Sequence, residues 1–312
     1  MRLFNSISLG LATAMAVNAG KIFHCKEKNT MALTFDDGPY EYTDELLDTL
    51  DEAGIKATFF INGDNWWKDL ASSSSKQKII KRAIDGGHQV ASHTWAHEIP
   101  EGKENIKKAL SKLDDLVEDI AGVRPKYFRA PQGHCDEDCI EYIESLGYKI
   151  IQWDLDTKDW DYKYPGLSES EQRSKRIDES KKILKSHWEK EEKNYLVLMH
   201  DVHKHTVKEL VPWLIKNAPS QYKYVTVAEC LGDVDGAYNK EGIIRSFVAG
   251  NTTTTTTETE AAATTTTQAP IATNAPIIGT SNENLNVNGA MTNSVNAVAL
   301  VTILLYSLYM LF

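Results

Sequence analysis

Short apolar runs alternate with amphipathic segments through the middle of the chain. Runs rich in β-branched and aromatic residues predict strands at 31–35, 57–61, 88–92, 127–128, 148–155, 195–199 and 222–227. Apolar residues at helical spacing predict helices between them, at 46–53 with Thr43 as cap, 79–84, 106–120, 168–193 and 207–215. Because strands alternate with helices, we expect parallel strands joined by right-handed crossovers. Six to eight strands predict an α/β fold, a closed or slightly distorted (β/α) barrel rather than an open sheet.

Polar and charged side chains collect where the predicted strands end. The set comprises Asp36, Asp37, His93, Arg129, Asp156 and His200. In βα barrels the loops that follow the strands assemble the active site, so this placement predicts a catalytic face. The alternative for the first two residues is a strand-terminating turn, which the sequence Asp36-Asp37-Gly38-Pro39 also favours.

The two ends of the chain differ in composition from the middle. Residues 1–19 combine Arg2, an apolar run and a small-residue pattern at 17–19, which predicts a secretory signal peptide. Residues 251–288 are rich in Thr and Asn, which predicts a disordered, O-glycosylated stalk with an N-glycosylation sequon at Asn251. These boundaries leave residues 20–250 as one folded domain.

Residues 289–312 end in an uncharged apolar tail with no basic residue after it. A small-residue site, a polar spacer and such a tail predict a GPI-attachment signal that is removed on maturation, with Asn288 as the attachment residue and Gly279 as the alternative. A plain transmembrane tail is the competing interpretation, but such a tail usually keeps Lys or Arg on its cytoplasmic side. We therefore expect a secreted protein that a lipid anchor holds at the outer face of the plasma membrane or in the cell wall.

Charge and cysteine content limit the partners and the compartment. The net charge is −10 and no basic stripe is present, which argues against nucleic acid as a partner; no protein partner is implied. Four cysteines in a secreted chain predict disulfides and allow three pairings. Cys135 and Cys139 are close enough in sequence to close a small loop, which leaves Cys25 and Cys230 to join the ends of the domain. A cysteine-based zinc site is the alternative, and it fits poorly with secretion.

His93 and His97 place two imidazoles four residues apart. On a helix or in a tight loop, this spacing brings both rings to one side, as a metal site requires. With Asp37 they supply two nitrogen ligands and one oxygen ligand. Three protein ligands and an open position are the arrangement of a hydrolytic zinc site. For either histidine alone, a hydrogen-bonded structural role is the alternative.

Five segments of the chain together resemble a known set of motifs. In order, they are Thr34-Phe35-Asp36-Asp37-Gly38-Pro39, Ser92-His93-Thr94-Trp95-Ala96-His97, Arg129-Ala130-Pro131, Asp156-Thr157-Lys158-Asp159-Trp160 and Leu196-Val197-Leu198-Met199-His200-Asp201. They are similar to the five motifs of the polysaccharide deacetylase family, also called the NodB homology domain or carbohydrate esterase 4. Residues 153–160 resemble fungal chitin deacetylases most. The resemblance covers about residues 30–232 and implies a distorted (β/α) barrel with a divalent metal, usually Zn²⁺, or another such as Co²⁺.

The resemblance also implies roles for individual residues. It places the metal on Asp37, His93 and His97. It makes Asp36 the general base that takes a proton from the attacking water, while Arg129 pairs with Asp36 and keeps it ionised and aimed. A carboxylate that is not itself a ligand suits this task, because the metal makes the water acidic.

The remaining implied roles concern the leaving group and the acetyl pocket. His200 is expected to protonate the departing sugar amine, with Asp156 holding its charge, since an adjacent carboxylate raises the pKa of a histidine. The backbone N–H of Gln132 is expected to stabilise the oxyanion, and Trp160 and Leu198 to wall the pocket for the acetyl methyl group. Gln132 departs from the family pattern, in which an aromatic residue usually follows the Pro, and this alters the wall of the substrate groove.

The expected function is therefore removal of acetyl groups from the N-acetylglucosamine units of chitin, which gives chitosan and acetate. Two alternatives use the same chemistry on another polymer, as an acetylxylan esterase or a peptidoglycan deacetylase. A third belongs to a different class, a non-catalytic carbohydrate-binding protein of the cell wall that retains only the fold.

Overall fold

The computed structural model describes residues 20–161, 164–233 and 235–239. The predicted signal peptide, the stalk with Asn251 and the attachment signal with Asn288 lie outside the described residues and stay predictions. Within the described part, no helix combines the length and the apolar character that a membrane span requires.

Strands and helices alternate along the described chain. The strands are β1 (Thr30–Asp36), β2 (Thr58–Ile61), β3 (Gln89–Ser92), β4 (Arg124–Pro125), β5 (Tyr127–Phe128), β6 (Lys149–Ile150), β7 (Leu155–Asp156), β8 (Asn194–His200), β9 (Lys223–Tyr224) and β10 (Tyr238–Asn239). The helices are α1 (Thr43–Glu52), α2 (Ser74–Asp85), α3 (Lys103–Ala121), α4 (Glu137–Ser145), α5 (Glu169–Trp188), α6 (Val211–Asn217) and α7 (Val227–Cys230). Short helical turns lie at Leu70–Ser72, Pro131–Gly133 and Thr206–Leu210.

Eight of the strands form one parallel sheet in the order β6-β5-β3-β2-β1-β8-β7, with β9 paired to the start of β1. The segments that follow β6 and β7, at the two ends of this path, line one cavity, so the sheet curls until its edges approach each other. The predicted distorted α/β barrel is confirmed. A separate antiparallel pair joins β4 and β10.

The strand β1 lies at the centre of the sheet and is buried along its whole length. It pairs with β8 over seven positions, from Thr30 opposite Asn194 to Asp36 opposite His200. Because parallel partners end at the same edge, this ladder delivers Asp36 and His200 side by side. The helices cover the outside: α1 buries Leu46, Leu47 and Leu50, and each such side chain contributes about 1.5–3 kcal/mol on burial.

The prediction of one continuous strand at 148–155 is wrong, because the structure has two separate strands there, β6 and β7. Its first part, β6, pairs with β5, and its last part, β7, pairs with β8 at the other end of the sheet. Between them, Ile151 bridges to Ile22, and the Gln152 N–H donates to the Ile22 carbonyl. One apolar run therefore crosses the seam where the two edges of the barrel meet.

Two smaller predictions also need correction. Thr43 is the first helical residue of α1 and not its cap. Its hydroxyl instead accepts a hydrogen bond from the Tyr40 N–H and donates one to Asp201. The charged helix α5 ends at Trp188 rather than near 193, because Trp188 is its last buried residue and the chain turns at Glu191, where φ is +50°.

Both disulfides are present in the pairing that loop length suggested. Cys25 and Cys230 have Cα atoms 4.9 Å apart and join positions 205 residues apart in sequence. Cys135 and Cys139, with Cα atoms 5.4 Å apart, close a small loop at the start of α4.

Candidate active site

A cavity of about 250 Å³ opens at the carboxyl ends of the parallel strands. It is lined by Asp36, Asp37, His93, His97, Ala130, Gln132, Gly133, Trp153, Asp156, Trp160, Leu198 and His200. The structure thus brings together nearly all the site residues that the sequence indicated. The exception is Arg129, which is fully buried beside the cavity.

Asp37, His93 and His97 form the one group of potential metal ligands found in the described part of the chain. Their ligand atoms all lie within 4.8 Å of one another. The Nε2 atoms of His93 and His97 lie 3.4 and 3.1 Å from Oδ1 of Asp37. The two histidines come from the loop after β3, which is not helical, so the tight-loop alternative for their spacing is the correct one.

The orientation of His93 shows what this cluster can hold. Its Nδ1 lies 2.8 Å from the Arg129 carbonyl oxygen, so Nδ1 carries the proton that is donated to that carbonyl. The lone pair of Nε2 then points toward Oδ1 of Asp37, a buried oxygen with no hydrogen-bond partner. Two electron-pair donors facing each other need a cation between them. Two nitrogens and a carboxylate oxygen are also donors that zinc accepts, so these residues fit a divalent metal.

Three residues of this cluster and its loop adopt left-handed backbone conformations. The φ angles of Asp37, Thr94 and His97 are +77°, +69° and +56°, and none of these residues is glycine. Such conformations cost on the order of 1–3 kcal/mol each and persist only where surrounding contacts hold them. They concentrate at functional sites, and here they turn the ligand side chains toward one point.

Asp36 and Arg129 form a buried ion pair at the floor of the cavity. Nη1 of Arg129 lies 2.7 Å from Oδ1 of Asp36, and the same guanidinium donates to Thr34 Oγ1 and to the Gln152 carbonyl. Its Cζ atom also lies over the Phe60 ring, 4.0 Å from the centroid. With Oδ1 fixed in this way, the other oxygen of Asp36 faces the metal cluster, 3.8 Å from Nε2 of His93.

His200 is held by Asp159, and not by Asp156 as the sequence led us to expect. Nδ1 of His200 lies 2.9 Å from Oδ1 of Asp159, and the His200 N–H donates to Oδ2 of the same carboxylate. Thr206 also donates to Oδ2, and Asp159 is fully buried. Burial lowers the pKa of His200, but the charge and hydrogen bond of Asp159 outweigh it and raise the pKa to about 9. The imidazole is therefore a cation at neutral pH.

Asp156 instead binds groups of the loop that follows it. Its Oδ1 accepts hydrogen bonds from the Lys158 N–H and the Trp160 indole N–H, and its Oδ2 pairs with the Lys158 ammonium. Lys158 has a φ of +58°, which reverses the chain and turns Asp159 back toward His200. That reversal is a three-dimensional feature, and only the position of Asp159 within the quoted motif could have suggested its role.

The three residues for which the sequence predicts contact with the substrate, Gln132, Trp160 and Leu198, all line the cavity. Leu198 is buried in the wall, and Trp160 is 40% exposed at the mouth. Gln132 is exposed and has a φ of +56°, so it lies on a sharp turn that lines the cavity. Sequence reasoning assigned no role to Trp153, which also lines the cavity and packs against the guanidinium of Arg129.

Replacement of Asp159 by Asn should move the alkaline limit of activity. In the parent chain, burial lowers the pKa of His200, but the Asp159 carboxylate, with smaller contributions from Asp37 and Asp36, raises it to about 9. Without that charge the pKa of His200 falls, so the proton is lost at a lower pH. We expect the decline of kcat at alkaline pH to occur at a lower pH in Asp159→Asn than in the parent chain. Asp156→Asn removes a carboxylate from the same loop and is the matched control. An equal shift in both variants would contradict the assignment.

Comparisons with known proteins agree with this geometry. Residues 24–151 match the family model described as polysaccharide deacetylase. A chitin deacetylase of Colletotrichum lindemuthianum is 37% identical over 216 residues, which are 68% of this chain and 83% of that protein. A chitin deacetylase of Pestalotiopsis sp. is 32% identical over 253 residues, 77% of this chain and 79% of that protein.

Solved structures show the same relationship. The structure of the chitin deacetylase from the fungal pathogen Colletotrichum lindemuthianum superposes with a TM-score of 0.64 and 35% identity, over 71% of this chain and 96% of that one. The chain forms a distorted barrel with a His-His-Asp cluster, and it spans most of the length of the relatives named here. It therefore belongs to the polysaccharide deacetylase family.

Proposed function

We propose that the protein hydrolyses the N-acetyl groups of N-acetylglucosamine units in chitin and so produces chitosan and acetate. One observation carries the proposal: a single cavity is lined by a fitting metal-ligand set, by Asp36 and by His200. Asp36 is paired with the buried Arg129 behind the wall, and His200 with the buried Asp159. The two relatives named above are chitin deacetylases, which supports chitin as the polymer.

Asp37, His93 and His97 would hold a divalent metal, for which we propose Zn²⁺. When bound, such a metal makes a water molecule more acidic and polarises the substrate carbonyl. The metal itself stays a proposal, and Co²⁺ suits the same ligands.

Asp36 would act as the general base. It lies beside the ligand cluster without belonging to it, and the bond to Arg129 holds one of its oxygens while the other faces the site. A carboxylate in this position can take the proton of the attacking water. The backbone N–H of Gln132 would donate a hydrogen bond to the oxyanion that forms on the former carbonyl oxygen.

His200 would act as the general acid. An amine is a poor leaving group unless it receives a proton as the C–N bond breaks, and the imidazolium can supply that proton. Asp159 keeps His200 charged and oriented, since it binds both Nδ1 and the backbone N–H. Nε2 is then the nitrogen free to face the substrate, and Trp160 and Leu198 would enclose the acetyl methyl group.

The test is acetate release from N-acetylglucosamine oligomers by the full chain. We expect release with Zn²⁺, its loss after treatment with a chelator, and its return when Zn²⁺ is added back. Acetylxylan and peptidoglycan serve as the comparison substrates. Activity confined to either of these would overturn the choice of chitin, and chitin binding without any acetate release would overturn catalysis altogether.

We also propose that the protein acts outside the cell. Both disulfides are of the kind that forms in oxidising compartments, and together they involve all four cysteines. The GPI anchor stays a prediction from the sequence.

A further inference from the structure

The loop after β2 binds the backbone of the loop that carries His93 and His97. Nδ2 of Asn62 donates to the carbonyl oxygens of His93, at 2.5 Å, and Thr94, at 3.0 Å. The backbone N–H groups of Gly63 and Asp64 donate to the next carbonyl, that of Trp95, at 2.9 and 2.8 Å. Three successive carbonyls of the histidine loop are therefore held by residues 62–64, which we call the β2 clasp.

Asn62 also reaches the other side of the ligand cluster. Its backbone N–H donates to the Gly38 carbonyl oxygen at 2.9 Å, directly after Asp37. One residue thus connects the turn that carries the oxygen ligand to the loop that carries both nitrogen ligands. Asn62 is buried, and Asn65 donates to its remaining side-chain oxygen, so the amide is fixed in one orientation.

The left-handed conformations of Asp37, Thr94 and His97 explain why such a connection is needed. Without contacts that hold them, these backbones would relax toward ordinary φ values and move the ligand atoms apart. Gly63 leaves no space for such movement, since a Cβ at this position would lie 2.3 Å from the Trp95 ring. The clasp contacts the strained histidine loop through both hydrogen bonds and close packing.

We propose that Asn62 is a positioning residue of the metal centre, which sets the separation between Asp37 and the two histidines. The inference rests on the proposed function, because it assumes that these residues bind a metal. Asn62 is not itself a ligand. It lowers the cost of metal binding by holding the donor atoms together before the metal arrives, and partners of this kind change metal affinity by about 10–100-fold.

The test measures the Zn²⁺ dissociation constant of the full chain by competition with a chelating dye. Asn62→Leu keeps the approximate shape of the side chain and removes both donated hydrogen bonds. We expect its Zn²⁺ dissociation constant to rise by about 10–100-fold. Asn62→Ser and Gly63→Ala, which perturb the same clasp in other ways, are measured beside it so that the result does not depend on one variant folding.

Thr58→Val is the matched control. Thr58 begins the same strand, at the end away from the site, and its hydroxyl makes buried hydrogen bonds with Gln89 and with the Val227 N–H. This variant should lower the melting temperature of the metal-free protein and leave the Zn²⁺ dissociation constant unchanged. A purely structural role for Asn62 predicts the same pattern for Asn62→Leu.

The possible outcomes distinguish the role of Asn62 from the proposed deacetylase function. If the parent chain binds Zn²⁺ and every folded clasp variant binds it equally well, the role of Asn62 is overturned and the proposed function stands. If the parent chain binds no Zn²⁺, the proposed metal site and the role of Asn62 are overturned together. Weaker Zn²⁺ binding in the clasp variants, with Thr58→Val unaffected, supports the proposal.

Discussion

Asp36→Asn should remove almost all acetate release from N-acetylglucosamine oligomers and leave the metal ligands in place. The amide cannot take a proton from the attacking water, and loss of a positioned general base lowers kcat by about 10²–10⁴-fold. The ligands Asp37, His93 and His97 are unchanged, so Zn²⁺ should still bind. The measurement is kcat per Zn²⁺-loaded molecule, with the Zn²⁺ content determined in the same sample.

This variant also leaves Arg129 buried without its counter-charge, which is strongly destabilising. Asp114→Asn controls for the loss of a buried aspartate. Asp114 is buried on α3, binds the Tyr148 hydroxyl and is not among the residues that line the cavity. The Asp114→Asn variant should keep the kcat of the parent chain. If Asp36→Asn keeps the parental rate on the Zn²⁺-loaded protein, Asp36 is not the base.

His200→Ala should separate amide from ester substrates. Release of a sugar amine depends on a proton from the general acid, so we expect kcat on N-acetylglucosamine oligomers to fall by about 10²–10⁴-fold. An ester has a better leaving group and needs this proton less. The loss on an aryl acetate should therefore be much smaller, and the ratio of the two rates is the quantity to measure.

The matched control is His187→Ala, which removes a histidine from α5 that lines a different cavity. Its rates on both substrates should stay near those of the parent chain. Equal losses on amide and ester in His200→Ala would show that His200 acts on a step common to both substrates and would rule out its role as the acid for the amine.

The sequence was most informative where one strand or one loop carries the chemistry. Asp36 and His200 could be placed together because each follows an apolar run whose period and length predict a strand, and parallel strands end at one edge. The disulfide between Cys135 and Cys139 could be anticipated because a four-residue separation is short enough to close without any knowledge of the fold.

Contacts that bring distant segments together are not predictable from local sequence patterns. The role of Asp159 cannot be predicted from the local pattern, because the chain reversal at Lys158 turns its side chain toward His200. The run 148–155 predicts one strand because its residues are suited to a sheet throughout, and nothing local shows where the two edges of the barrel meet. Asn62-Gly63 reads as an ordinary turn signal, whereas its side chain and backbone bind three carbonyls about thirty residues away in sequence.

The long pairing of β1 with β8 has a consequence for how the site can fail. The proposed base and acid are the last residues of two neighbouring, paired strands, and β1 is buried throughout. Core strands of this kind open at free energies that approach that of global unfolding. We therefore expect the backbone amides that pair β1 with β8 to be among those that exchange hydrogen most slowly with solvent. Local motion of the surrounding loops would then leave the strand ends that carry Asp36 and His200 side by side.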